Sequence, residues 1–205
     1  KTLLADEFAK STKFNPQVTM LTSGADTFTG TDANDNVNGG IGNDTLDGGG
    51  GNDKLVGDSG NDVLKGGKGQ DILIGGAGAD RLEAGTYYDS KSGYVDGKWV
   101  NTYTFDSHSE VLSGGDGADT LLGGYGSDIL DGGSGSDTIS GDSDAFSYNY
   151  LSSFVSEAQL RSMMNDTIRG GDGDDSIDGG NGTDWIDGGT GNDTINMSTG
   201  GGITK

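Results

Sequence analysis

The sequence predicts an all-β solenoid of stacked nonapeptide turns, and three observations predict it. A nine-residue pattern, with Gly in slots one, two and four, Asp in slot six and an aliphatic residue in slot eight, recurs in register along most of the 205 residues. Gly accounts for 42 residues and Pro for 1, so turns are permitted everywhere and strands are rarely blocked. Each copy joins a glycine-rich stretch to a short β-forming one, a unit too small to bury its apolar side chain without neighbours of the same kind.

Composition alone points elsewhere. A hydrophobic content of 30% and a formal net charge of −21 are the signature of a disordered chain. The phase of the repeat argues against that reading. Slot six of the twelve uninterrupted copies is always Asp: Asp35, Asp44, Asp53, Asp62, Asp71, Asp80, Asp119, Asp128, Asp137, Asp175, Asp184 and Asp193. Slot eight is always Val, Leu or Ile, from Val37 through Leu82 and Leu121 to Ile195. A linker has no reason to hold an aliphatic residue in phase with an Asp over this length.

The copies fall into three blocks, residues 30–83, 114–140 and 170–196, with "LTSGADTFT" at 21–29 as a degenerate leading copy. Within a copy, Gly at three of six positions predicts a tight turn with exposed carbonyls. The last three residues, such as "TLD", form a strand that points slot eight inward and slots seven and nine outward. Two copies then make one coil, with turns on opposite edges and a thin apolar seam between two sheets. Coils stack about 4.8 Å apart.

Such stacking brings the slot-six carboxylates of successive coils together, and like charges at that spacing repel unless a positive charge intervenes. Carboxylate and carbonyl oxygens without nitrogen or sulfur donors suit hard cations. A cage of mostly fixed carbonyls suits Ca²⁺ better than Mg²⁺, which prefers to keep its waters. Metal binding then becomes folding free energy, and without it an expanded polyanion is expected.

Other partners are disfavoured. An acidic chain is repelled by nucleic acid and by anionic membranes. There is no Cys, and a single His cannot build a common zinc site. No apolar run approaches the roughly 20 residues that span a bilayer, and no stretch has the pattern of a signal peptide. The chain opens on Lys1 rather than Met, so it is expected to be part of something longer.

"GGIGNDTLD", "GGSGSDTIS" and "GGNGTDWID" resemble the glycine-rich nonapeptides of RTX (repeats-in-toxin) proteins, and the resemblance covers most of residues 21–196. It implies a right-handed parallel β-roll with several Ca²⁺ ions held between turns of adjacent coils. The ligands it implies are the slot-six Asp residues named above and the carbonyls of the first four slots. In the first block those slots contain Gly39, Gly40, Gly42, Gly48, Gly49, Gly51, Gly57, Gly60, Gly66, Gly67, Gly69, Gly75, Gly76 and Gly78. The second block contributes Gly114, Gly115, Gly117, Gly123, Gly124, Gly126, Gly132, Gly133 and Gly135. The third contributes Gly170, Gly171, Gly173, Gly179, Gly180, Gly182, Gly188, Gly189 and Gly191, with Asp166 and Asp26 as further edge ligands. The resemblance also implies type I secretion, with unfolded transit through a calcium-poor cytosol and folding outside a bacterium or at its surface. Only "MSTGGGITK" follows the last copy, shorter than the cap and export signal the family implies. The parent is therefore expected to continue, or this piece does not carry the signal.

Two interruptions separate the blocks, with inserted residues at about 86–109 and 144–164. Each ends as a copy should, in "SEVLS" and "NDTIR", with Glu110 in place of Asp in the first. Counted from Leu21, the interrupted copies are the eighth and the twelfth, so both insertions are expected on one edge, about 10 Å apart, with the "GGYGSD" turn and Tyr125 between them. "YVDGKWV" predicts a hairpin in the first insertion. In the second, Ser156 and Gln159 form a capping box and Val155 and Leu160 a staple, so a short helix is expected with Leu160, Met163 and Met164 on one face. Residues 1–20, with "LLADEFAK", are expected to cap the first coil or link to an upstream domain, and 197–205 to form a tail.

No nucleophile is partnered with a base, so no catalysis is expected of this chain. The leading expectation is a calcium-driven module that stabilises a larger secreted protein and is itself monomeric. The alternative is an adhesin segment whose insertions bind a glycan or peptide, through Tyr87, Tyr88, Tyr94, Trp99, Tyr103 and Tyr125. Packing of those aromatics over the roll is the simpler role for them, and His108 is expected to be solvated or packed among them. The tail of a protease or lipase would leave its catalytic part outside the chain. An ice-binding array is disfavoured, because only Thr190 with Asn192 shows the Thr-x-Asn spacing.

Overall fold

A computed structural model describes residues 17–85, 88–95, 98–105, 108–142, 164–197 and 203–204. These residues form an all-β parallel solenoid of about eight turns. Its nine-stranded sheet runs β1 (Thr19–Met20), β3 (Asn36–Ile41), β5 (Lys54–Ser59), β7 (Ile72–Ala77), β11 (Val111–Asp116), β13 (Ile129–Ser134), β15 (Thr167–Asp172), β17 (Trp185–Thr190) and β19 (Ile203–Thr204). The facing eight-stranded sheet is built from β2 (Thr27–Thr29), β4 (Thr45–Gly50), β6 (Val63–Lys68), β8 (Arg81–Glu83), β12 (Thr120–Leu122), β14 (Thr138–Ser140), β16 (Ser176–Asp178) and β18 (Thr194–Asn196).

Slot eight sets the register. Leu55 pairs with Leu73, Leu73 with Leu112, Leu112 with Leu130, and Leu130 with Ile168. On the other sheet Leu82 pairs with Leu121 and Leu121 with Ile139. A one-residue slip would turn every aliphatic outward, so the pattern admits one register. From Val37 to Ile186 the slot-eight side chains are at most 1% exposed and form one continuous seam. Slot seven faces outward, yet Ile72 and Val111 are buried, so the outer face is covered at these two strands.

The strands are longer than expected. In β3, β5, β7 and β13 the ladder continues from slot nine through slots one to three, so each has six residues rather than three. Glycine makes this possible, because without a Cβ the backbones of successive turns approach closely enough to stay hydrogen-bonded. Gly42 N–H, for instance, donates to Ser59 O at 2.8 Å.

The first interruption joins β8 of the eight-stranded sheet to β11 of the nine-stranded one, and the second joins β14 to β15 in the same sense. Both leave from one edge, and the uninterrupted turn between β12 and β13 lies between them. The opposite edge has no interruption. Within the first insertion β9 (Tyr88–Val95) and β10 (Lys98–Phe105) form an antiparallel hairpin, with Val95 opposite Lys98 as the Asp-Gly signal predicts. The expected helix lies outside the described residues except for Met164, which is in irregular backbone and rejoins the roll instead. Residues 1–16 also lie outside them.

Candidate metal centre

The turns stack through backbone contacts that slots two and four dictate. Both slots take positive φ, as at Gly76 (122°) and Gly78 (140°), a region side chains rarely enter. A Cβ at either place would also strike the carbonyl beneath it, Asp58 O under Gly76 and Gly60 O under Gly78. Asp58, in slot two at φ 82°, is the one non-glycine among the described residues in this conformation.

Slot six laces each coil to the next. The Asp62 N–H donates to Asp80 Oδ1 at 2.8 Å, and Asp62 O accepts from Arg81 N–H at 2.8 Å. The same Oδ1 bond recurs from Asp44 to Asp62 (2.7 Å), Asp53 to Asp71 (2.8 Å), Asp80 to Asp119 (2.7 Å), Asp137 to Asp175 (2.8 Å) and Asp166 to Asp184 (3.0 Å). On the edge opposite the insertions it continues past both interruptions, from Asp80 to Asp119 and from Asp137 to Asp175, while on the insertion edge Glu110 takes slot six and its N–H donates to Asp128 Oδ1 at 3.0 Å.

The second oxygen is left over. In Asp44, Asp53, Asp62, Asp80, Asp119, Asp137, Asp166 and Asp175, Oδ2 is buried and has no hydrogen-bond partner among the described residues. A bare buried carboxylate oxygen is costly, so this pattern calls for a positive partner. Each Oδ2 points into a small space beside the slot-one residue of its own turn, which the slot-one carbonyl of the next coil also borders. A Cβ on Gly57 would press on Asp62 Oδ2 and stand 2.7 Å from Gly75 O. The same cradle forms at Gly75 with Asp80 and Gly114 O, at Gly114 with Asp119 and Gly132 O, and at Gly141 with Asp166 and Gly179 O. All-oxygen cradles of fixed carbonyls and one carboxylate suit a calcium ion, and these residues fit one.

Burial raises the carboxyl pKa values. Asp53 is pushed up to about 7 and Asp119 to about 6, in both cases by burial first and by neighbouring carboxylates last, with a backbone N–H opposing. Asp166 rises to about 9 because burial is joined by Asp128, Asp142 and Asp184. Burial also raises Asp62, Asp80, Asp137, Asp175 and Asp184.

The first turns differ from the rest. Asp26 Oδ2 accepts from Thr22 N–H (2.8 Å) and Thr22 Oγ1 (2.7 Å), and Asp35 Oδ2 from Thr31 N–H (3.1 Å). In both turns the slot-two residue, Thr22 or Thr31, donates to the second oxygen of its own turn's Asp. Bare Oδ2 atoms therefore begin at Asp44.

Three features were not read from the sequence. Slot five builds a second ladder, in which Asn43 Oδ1 accepts from Asn61 N–H (2.9 Å) and Asn61 Oδ1 from Ala79 N–H (2.9 Å). Its signal is the frequency of Asn at that slot. The insertions also rejoin the roll at slot four, with His108 O under Gly126 and Met164 O under Gly182. The third is Asp142, which is buried beside the second insertion.

Of the aromatics singled out as binding residues, Tyr94 is 67% exposed and Tyr125 is 5% exposed. Trp99 stands opposite Tyr94 in the hairpin, Tyr103 opposite Ser90, and Tyr88 opposite Phe105. Tyr87 lies outside the described residues.

Comparison with known proteins agrees with this geometry. The description "RTX calcium-binding nonapeptide repeat (4 copies)" matches residues 21–55, 56–86, 106–145 and 163–195. The matches stop where the two insertions begin. Compared with individual curated proteins, the chain finds no match. Repeated cradles and repeated sequence lead to one conclusion: the chain belongs to the RTX calcium-binding nonapeptide repeat family.

Proposed function

We propose that this chain is a calcium-driven folding module of a secreted bacterial protein, expanded where calcium is scarce and folded where it is plentiful. It stabilises the parent protein and does no chemistry of its own. The buried, unpartnered Oδ2 atoms carry this reading, because nothing among the described residues hydrogen-bonds them. Bound calcium supplies the positive charge those oxygens lack. The apolar seam is one side chain wide on each sheet, so little else opposes the entropy of ordering so many glycines. In chelator, circular dichroism should report coil, and adding calcium should produce β-structure, with magnesium much less effective. Equal β-structure in chelator and in calcium at neutral pH would remove the proposal.

A second reading has one observation in its favour. Among the described residues the hairpin pairs with neither sheet, and it displays Tyr94. A surface of this kind suits a glycan or a peptide. Replacing residues 86–107 by a single Gly restores a nine-residue turn. Retained calcium-driven folding with lost binding on glycan or peptide arrays supports a recognition role; lost folding assigns the hairpin to packing.

A further inference from the structure

The second insertion departs from a turn that breaks the repeat at slot two. That slot holds Asp142, which does not take the positive φ seen at Gly124, Gly133 and Gly171 in the surrounding turns. Its carbonyl accepts from the Ser140 hydroxyl at 2.5 Å and is not among the atoms nearest an ideal Cβ on Gly180, whereas in other coils the slot-two carbonyl stands there, as Gly49 O does under Gly67. Its side chain lies over the next coil, with Cγ 2.8 Å from where a Cβ on Gly180 would stand. Oδ2 accepts the Asn181 N–H. Oδ1 is buried with no partner among the described residues, and the residue as a whole is 7% exposed.

The same turn holds Asp166, 2% exposed, whose Oδ2 also lacks a partner. That oxygen points into the cradle beside Gly141, which Gly179 O borders at 2.6 Å from an ideal Cβ. Asp128 and Asp184 occupy the same edge on the coils before and after, and their charges act on both Asp142 and Asp166. Two buried oxygens from one turn thus lack a donor among the described residues, where the ordinary turn has one. The nonapeptide pattern accounts for Asp166 but not for Asp142.

We infer that Asp142 is a calcium ligand at the root of the second insertion, where its carboxylate stands in for the slot-two carbonyl that is turned to Ser140. This inference rests on the reading of the Oδ2 cradles as calcium sites. It adds a second carboxylate to one cradle and makes that site the most anionic on the insertion edge. Affinity in oxygen cages rises with the number of charged ligands, so this ion should be the last released.

The test uses the whole chain, titrated with calcium against a fluorescent chelator. The wild type should keep one ion at calcium concentrations where Asp142→Asn has released it, a weakening of that site of about tenfold or more. The other ions should be unaffected. Asp142→Gly gives the turn the slot-two residue of the repeat and should show the same loss, which keeps the test valid if the Asn variant folds poorly. In a Trp99→Phe background, Trp185 is the remaining tryptophan and directly follows Asp184. Its emission should change with the tight ion in the otherwise unaltered chain and only at higher calcium in the two Asp142 variants. If both variants match the wild type in affinity and in Trp185 response, the inference is overturned while calcium-driven folding stands. If the wild type binds no calcium, both fall.

Discussion

Replacing Gly75 by Ala should expel one calcium ion and destabilise the calcium-loaded roll by about 3 kcal/mol or more. Gly75 does not have positive φ, so backbone strain is not the reason. The reason is space. The new methyl would stand 2.6 Å from Gly114 O and against Asp80 Oδ2, the two oxygens that form that cradle. Neither can retreat. Asp80 is tied through its backbone to Asp119 Oδ1 at 2.7 Å, and Gly114 opens the turn stacked directly on it. The methyl would therefore fill the place proposed for the ion and strain the oxygens that border it. Gly24→Ala is the control, since its Cβ meets only Thr22 Oγ1, at 4.0 Å, and should change stability by less than about 0.5 kcal/mol. Denaturant unfolding in saturating calcium and equilibrium dialysis read both quantities. A Gly75→Ala chain with full stability and a full complement of ions would contradict the assignment of the cradle.

Acid should partly substitute for calcium. The carboxyl pKa values are raised in the folded state, to about 6 at Asp119, about 7 at Asp53 and about 9 at Asp166, from an ordinary value of 3.8. Between 3.8 and those values the folded chain binds more protons than the unfolded one, so stability falls as pH rises. The metal-free roll is therefore strongest near pH 4 and weakens progressively as pH climbs through 6 to 9. In chelator, circular dichroism should show more β-structure near pH 4 than at about pH 7.5. Protons and calcium compete for Oδ2, so the folded chain's calcium affinity should fall in moderate acid even though less calcium is needed to fold it. A chelated chain equally unfolded at both pH values would show that these carboxylates do not limit the metal-free fold.

The repeat made most of this legible. One aliphatic residue at slot eight fixes the seam from Val37 to Ile186, and the parity of the interrupted copies places both insertions on one edge. Asp96 and Gly97 between β-forming residues announced the hairpin. The sequence is silent on what depends on backbone direction. That one oxygen of each slot-six Asp is consumed by the N–H of the preceding coil, leaving the other bare, requires the coils to be stacked. That Asp26 and Asp35 lose their second oxygen to Thr22 and Thr31 depends on where the Thr N–H points. Like the exposed Asp58, Asp142 departs from the repeat at slot two. Only its burial beside Asp166 sets it apart.

The most direct measurement is anomalous diffraction from crystals grown in ample calcium. Peaks are expected between each bare Oδ2, such as those of Asp62, Asp80 and Asp119, and the slot-one carbonyl of the following coil. Peaks at about 2.3–2.6 Å from those oxygens would establish the cradles as calcium sites. Water alone in those positions, with the roll intact, would contradict the account at its centre.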